Sequence, residues 1–474
     1  MRDIHYLSIA QLGEAIRSGE LGPVEITECL LDRIEQLDGR LHAIKRLTRD
    51  RALAEAKAAE LQLEAGHDRG PLHGIPYVAK DIYDVCGEPT GAGCRLLENN
   101  VAGRDCAVVR QLARAGMVLL GKAHTVQFAF GAVGINHDTG TPHNPHHAEP
   151  HAPGGSSSGS AVAVSAGLAP MGLGSDTGGS VRIPSALCGT VGLKTTVGRV
   201  SRAGIYSVSW ALDSAGPLTR TAEDAALVYQ AMQGEDAEDE TTAGVAPHDA
   251  LAVLRRGVDG LRIAFGETPF FDEVDPEVEE LVRAAGSVFE SLGAHVGHVE
   301  LPEATQVMAD ERRALVTSAE GCAVNRSLLD EHFDQLDPVV ARRMIEGRQL
   351  KAPDYYEVTR QWTQSRREVL ERLRDLDAII VPTTMIPAAP LRLIDADLDS
   401  YVQYNFKYGR NTSIGNILNL CGVSLPCGLT RAGLPVGLLI YAKPFQEDTA
   451  LRVAYAYEQA TDWHRRRPDL SWTS

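Results

Sequence analysis

Two glycine- and serine-rich runs carry residues with the makings of a nucleophilic site. Segment 174–189, GSDTGGSVRIPSALCG, sets Ser180 directly after two glycines and at the head of a short apolar run. Glycine tolerates positive φ and lets a backbone approach a ligand closely. The amides near Thr177, Gly178, Gly179 and Ser180 are therefore candidates to face a developing oxyanion, with Ser180 as the attacking hydroxyl. A second run, 154–160 (GGSSSGS), lies upstream and leads into a stretch of small residues. Taken alone, Ser156 in this run also suits a helix N-cap, where serine accepts backbone N–H groups. Lys80 closes an apolar run that follows Gly74, Ile75 and Pro76, a position that by itself suits a surface lysine at a strand end.

Other residues invite different chemistry. His137, His143, His146, His147 and His151 crowd into one loop-like segment, but without a defined ligand spacing; no metal is expected there, and a loop lining the mouth of the site is the better reading. The run 116–123, GMVLLGKA, comes close to a phosphate-binding loop, yet ends in alanine where serine or threonine should hold magnesium, so Lys122 reads as structural. Asp176 and Arg182 flank the Ser180 turn and are expected to pair and fix it. Cys188 has nothing nearby to activate a thiolate and reads as core.

The elements that must hold these residues alternate between strand and helix. Apolar spacing predicts helices over Ile26–Leu37, Ala52–Ala65 and Ala107–Ala115, with buried strands before Lys80 and at Met117–Leu120. A small-residue helix is expected over Ser156–Leu168, followed by a strand over Ala169–Gly174. This alternation belongs to α/β proteins. Segment 234–249, GEDAEDETTAGVAPHD, is polar and acidic and reads as an exposed connection. Beyond it come a strand (Leu261–Phe265), a helix (Glu277–Leu292), further helices over 304–376, a strand ending at Pro382, strand-like runs over Val423–Ala442 and a helix over Glu447–Thr461.

Composition narrows the function classes. With 474 residues, 44% of them hydrophobic, the chain can build one large core or two packed subdomains. A net charge of -17 argues against a nucleic-acid surface and for a small-molecule partner. No stretch approaches a membrane span and the first residues hold no apolar leader, so a soluble, cytoplasmic protein is expected. Eight dispersed cysteines without a CxxC pair read as reduced thiols.

The runs GIPYVAKD, GKAHTVQFAFG, GGSSSGS and SDTGGS, with GLPVGL near the end, together resemble the amidase signature family over nearly the whole chain. The resemblance implies a catalytic triad of Lys80, Ser156 and Ser180, a cis peptide at Gly155-Ser156, and Ser157 in support. Cys94 stands where that family usually has serine. It also implies a fold built on a large mixed, mainly parallel β-sheet covered by helices on both faces. The chain would be a single domain: N-terminal helices over 1–65, the signature core over 66–230, a variable, helical, substrate-side region over 231–400, and a C-terminal return to the sheet over 401–474.

The chemistry such a triad implies needs no metal or organic cofactor. A serine hydroxyl is a poor nucleophile at neutral pH and a charged lysine cannot take its proton, but burial lowers a lysine pKa enough to make it a base. Ser156 would relay the proton between Ser180 and Lys80. The expected reaction is hydrolysis of a small or medium carboxylic amide, aryl or short aliphatic, by a stand-alone enzyme or a homodimer. The alternative is the glutamine-hydrolysing component of a tRNA-dependent amidotransferase, its A chain, although YGRNTSIGNILNLCGVSLPCG does not resemble the glutamine-gripping segment of such proteins. A non-catalytic binding scaffold is weaker still, because all three triad positions are filled. Phe128, Gly131, Gly155, Tyr206 and Trp210, with Phe130 and Tyr404, are the candidates for the substrate pocket.

Overall fold

The structure, a computed structural model of the 474-residue chain, describes residues 4–473. Its frame is one sheet of 11 strands: β1 (Ile44–Leu47), β2 (Pro76–Lys80), β3 (Val118–Ala123), β4 (Met171–Asp176), β5 (Val191–Lys194), β6 (Ser214–Thr219), β7 (Arg262–Gly266), β8 (His295–Val299), β9 (Ala378–Pro382), β10 (Cys421–Leu429) and β11 (Pro435–Ala442). Their spatial order is β1-β3-β2-β4-β6-β5-β10-β11-β9-β7-β8.

Helices cover both faces, and the strands record it in their alternation. In β9, Ile380 joins one apolar cluster while Ile379 and Val381 join another; in β11, Leu438 and Ile440 part from Leu439 and Tyr441 in the same way. Successive strand residues point to opposite faces, so strands that are apolar throughout are strands covered on both sides.

The sheet is mixed, as expected, but not mainly parallel. Four pairings are parallel, β2 with β3 and β4, and β7 with β8 and β9. Six are antiparallel and include the whole centre of the sheet. The reason lies in the connections, since a parallel pair needs a crossover of a dozen or more residues while an antiparallel pair can follow a tight turn. Between β10 and β11 the chain turns at Thr430, whose amide donates to Leu434 at 2.9 Å, with Gly433 at φ 78°. That turn converts GLPVGL into a hairpin rather than a crossover.

The helix of small residues is Ser158–Ser165, shorter than expected, so Ser156 precedes it. Its composition follows from crowding. A Cβ on Gly159 would fall 2.3 Å from the Ala43 carbonyl oxygen, and one on Gly172 of β4 would fall 2.8 Å from the Ser160 Cβ. The acidic segment 234–249 is largely the exposed connection expected, but two of its residues turn inward. Asp239 and Thr242 are buried, because the Asp239 carboxylate accepts hydrogen bonds from the Arg202 amide (2.8 Å) and its Nε (3.3 Å). The buried guanidinium of Arg202 requires a carboxylate, and this segment supplies it.

Close backbone packing behind the site yields a first prediction. Gly216 of β6 pairs with Gly174 of β4, and a Cβ on it would meet the Leu193 carbonyl oxygen at 1.9 Å. Gly216→Ala is expected to lower the urea-unfolding free energy by about 1–3 kcal/mol through forced backbone displacement.

Candidate active site

Lys80 is the last residue of β2 and is completely buried. Its Nζ donates to the hydroxyls of Ser156 (2.7 Å) and Ser175 (2.9 Å). Burial pulls its pKa down to about 7, against the opposing pull of the Asp213 and Asp176 carboxylates. Two other lysines are as deeply buried but face different partners. Lys194 donates to the carbonyls of Thr195 and Leu420, both at 2.9 Å, and Lys122 pairs with Asp81 at 3.1 Å and with the Pro89 carbonyl at 3.0 Å. A carbonyl cannot pass a proton onward, whereas a hydroxyl can.

Ser156 follows a cis peptide bond after Gly155 and is fixed through its carbonyl, which accepts from the Thr125 hydroxyl at 2.9 Å and the Val126 amide at 3.3 Å. The Ser157 amide donates to the Ser180 carbonyl at 3.3 Å, tying the two serine loops together, and the Ser157 hydroxyl accepts from the Ser175 amide at 3.3 Å. Ser180 is 7% exposed and opens onto a cavity.

Asp176, the last residue of β4, holds the Ser180 turn. Its carboxylate receives Nε and Nη2 of Arg182, each at 2.9 Å, and the amides of Gly179 (2.8 Å) and Val181 (3.2 Å). Burial would raise its pKa, but the Arg182 charge holds the carboxyl well below the usual range. The guanidinium is completed by the Tyr441 hydroxyl and Asn416 Oδ1, both at 2.6 Å, and the Thr412 carbonyl at 3.0 Å. At Gly179, with φ 127°, a Cβ would lie 2.1 Å from the Thr412 hydroxyl, which itself donates to the Gly178 carbonyl at 2.7 Å. Because the Gly179 amide is committed to Asp176, it differs from its neighbours at Thr177, Gly178 and Ser180. The Thr177 hydroxyl is anchored on Asp213 at 2.5 Å, and Asp213 also accepts from the amides of Val208 (2.9 Å) and Ser209 (3.0 Å).

The cavity has a volume of 480 Å³ and a mainly apolar wall. Of the residues expected in it, Phe130, Gly131, Thr177, Gly178 and Ser180 line it. Phe128 is fully buried and stacks on Tyr206 with ring centres 6.2 Å apart, and Tyr206 donates to Asn325 at 2.8 Å. Trp210 is half exposed beneath Arg202, while Tyr404 packs against Tyr408. Gly155 is buried, its amide donating to the Ala132 carbonyl at 2.7 Å. None of these five lines the cavity. Instead, Leu212, Met308, Arg343, Trp362 and Phe406 form much of the wall. These positions, like Asp213 and Asn416, escaped sequence reasoning because no pattern links them to the serine runs; Ser175 lies within the run 174–189 but nothing there sets it apart from its neighbours.

No histidine lines this cavity, so the loop 137–151 is not its mouth. His137 bridges Asp337 (2.9 Å) and Asp395 (2.8 Å); the Asp337 hydrogen bond, working against burial, lifts its pKa to about 9. His147, Glu149 and His151 place ligand atoms within 4.8 Å of one another, a set able to hold an ion, although Glu149 is already paired with Arg392 at 2.9 Å. Cys188 is buried, its thiol pushed far up by burial alone.

The Asp176–Arg182 pair is fully buried on both sides, so removing one partner strands the other charge in the core. Arg182→Met is expected to cost about 3–5 kcal/mol in denaturant unfolding.

The chain is similar to known proteins over nearly its whole length. The family model described as Amidase matches residues 25–451. The chain is 39% identical to an amidase of Pseudomonas putida over 99% of each chain. It is 37% identical to the A chain of a glutamyl-tRNA(Gln) amidotransferase of Pseudomonas putida, covering 98% of this chain and 100% of that one. The solved structure of the peptide amidase from Stenotrophomonas maltophilia superposes with a TM-score of 0.87 at 33% identity, covering 98% of this chain and 99% of that one. With its motif runs joined through the Lys80–Ser156 and Ser157–Ser180 hydrogen bonds and a family match over most of its length, this chain belongs to the amidase signature family.

Proposed function

We propose that the chain hydrolyses a carboxylic amide to a carboxylate and ammonia or an amine, through an acyl-enzyme on Ser180. The observation that carries this reading is the 2.7 Å contact from a fully buried Lys80, its pKa drawn down to about 7, to the Ser156 hydroxyl, in the loop that the Ser157 amide ties to the cavity-facing Ser180. Neutral Lys80 accepts the Ser156 proton as Ser156 takes the Ser180 proton, and the freed oxygen attacks the amide carbonyl. The amides of Thr177, Gly178 and Ser180 take the oxyanion, since the Gly179 amide is engaged by Asp176. The relay then reverses: Lys80 returns its proton through Ser156 to the departing nitrogen, the C–N bond breaks, and water repeats the sequence on the ester. Ser157, Asp176, Arg182 and Asp213 hold the loops in place.

In this reading the signature core over 66–230 supplies the chemistry, while the region 231–400 and the C-terminal return 401–474 shape the pocket, in keeping with the cavity residues between 308 and 417. No helix among the described residues is long and apolar enough to cross a membrane, and we place the enzyme in the cytoplasm. The relatives that are amidotransferase A chains give a glutamine-hydrolysing role as the second reading. The mainly apolar 480 Å³ cavity, within the range that holds drug-sized ligands, favours a larger free amide.

Ser180→Ala is expected to keep its thermal unfolding profile and to lose roughly a thousandfold or more of the ammonia or amine release from an amide panel. Undiminished release would remove Ser180 from the mechanism. Because the deprotonated lysine is the active form, kcat/KM should fall as pH drops below about 7, by about tenfold per pH unit on the acid limb. Lys80→Ala should abolish that limb along with most of the activity.

A further inference from the structure

A set of metal-type ligands lies outside the Ser180 cavity. His147, Glu149 and His151 each offer one ligand atom, and these atoms lie within 4.8 Å of one another. The sequence shows no ligand spacing here because the backbone of one bent loop, and not a helix face, gathers the set. The chain bends at Ala148 and Glu149, and His151 then enters a bridge with Pro390. The Glu149 amide donates to His147 Nδ1 at 3.0 Å, and His151 Nδ1 donates to the Glu149 carbonyl at 2.8 Å. One residue's backbone thus folds the two rings onto each other, with centres 4.0 Å apart.

His151 supplies the observation that points to a ligand. It is only 5% exposed. A carbonyl can only accept, so the neutral His151 ring carries its proton on Nδ1 and leaves a lone pair on Nε2. Among the described residues that Nε2 has no hydrogen-bond partner, and neither has Nε2 of His147. An imidazole whose other N–H is held by a backbone carbonyl is the arrangement in which proteins orient histidine toward a metal. The carboxylate is available as well. Glu149 pairs with Arg392 at 2.9 Å, but the two side chains are 43% and 68% exposed, and an ion pair so open to water holds its partners weakly. Zinc sits about 2.0–2.2 Å from its nitrogen and oxygen ligands, which calls for a tighter set than this one, and the exposed Glu149 side chain is free to close on the rings. His151 stays fixed, since the Ala152 amide donates to the Ala389 carbonyl and the Leu391 amide to the Pro150 carbonyl, both at 2.9 Å.

We propose that His147, Glu149 and His151 bind a divalent transition-metal ion such as zinc, through one nitrogen of each ring and the carboxylate. Two imidazoles with one carboxylate suit zinc, cobalt and nickel, whereas magnesium and calcium call for shells of oxygen. The incoming ion displaces the Arg392 guanidinium from Glu149. The site shares no residue with the Ser180 cavity, and it stands whether or not the chain hydrolyses amides.

The test titrates zinc into the untagged, chelator-stripped full chain by calorimetry, with cobalt as the spectroscopic probe and magnesium and calcium as controls. One zinc equivalent should bind saturably, raise the thermal midpoint, and resist an excess of magnesium or calcium. Loss of an outer-shell contact costs a metal site about 10- to 100-fold in affinity, so loss of a ligand costs at least as much. His147→Gln and Glu149→Gln should therefore each weaken that equivalent by about 10-fold or more, and the double variant should abolish it. Arg392→Gln has the opposite sign: with the competing cation gone, zinc should bind about two- to fivefold more tightly, a gain that a merely structural role for the loop does not produce. Absence of a saturable zinc equivalent, or one that the His147→Gln/Glu149→Gln double variant retains, would overturn the proposal.

Discussion

The arrangement of the site depends on one buried ion pair. Asp176 ends β4 and Arg182 opens the helix Arg182–Cys188, so their two 2.9 Å contacts clamp the Ser180 turn between a strand end and a helix start. Burying two charges costs desolvation that Coulomb attraction alone seldom repays, so such pairs survive where further hydrogen bonds complete them. Here Asn416, Thr412 and Tyr441 complete the guanidinium, and all three come from the last part of the chain. The pair therefore welds the C-terminal helix Leu398–Ile417 and β11 to the Ser180 turn.

That weld also governs the electrostatics around Lys80. Two carboxylates lie close enough to favour its charged form, Asp176 and Asp213. Asp176 is matched by Arg182, and Asp213 is occupied by Thr177, Ser207 and two backbone amides. With the carboxylates so engaged, desolvation outweighs their attraction and the amine is poised near neutrality rather than near its ordinary value. Lys194, also buried, is drawn down to about 8 but meets only carbonyl oxygens, so a shifted pKa alone does not make a base. The partner atoms decide.

The cavity follows a different logic. One side is formed by the Ser180 turn just beyond β4 and by residues 129–132, and much of the wall comes from helices between 302 and 417, chiefly through side chains of unrelated type. A site built this way can keep the proposed proton relay fixed while its wall varies, because Lys80, Ser156 and Ser180 sit on a strand end and buried loops and the wall residues largely on helices outside the sheet.

The sequence by itself determined the local chemistry. Ser180 after two glycines was legible from the turn itself, whereas Ser156 and Lys80, which alone suit a helix N-cap and a surface strand end, were assigned through the resemblance of their motifs to a family; periodicity located most helices and strands to within a few positions. Tertiary structure decided what those residues face. Strand direction depended on how the connections packed, which turned the centre of the sheet antiparallel. Asp239 proved buried because Arg202, far away in the chain, needed its charge. Tyr206 and Trp210 looked like walls of the Ser180 cavity and do not line it, while Arg343 and Trp362 do. Aromatic or charged character does not say where a side chain points. Long-range contacts are set by the packing of the whole core, and no spacing within a segment encodes them.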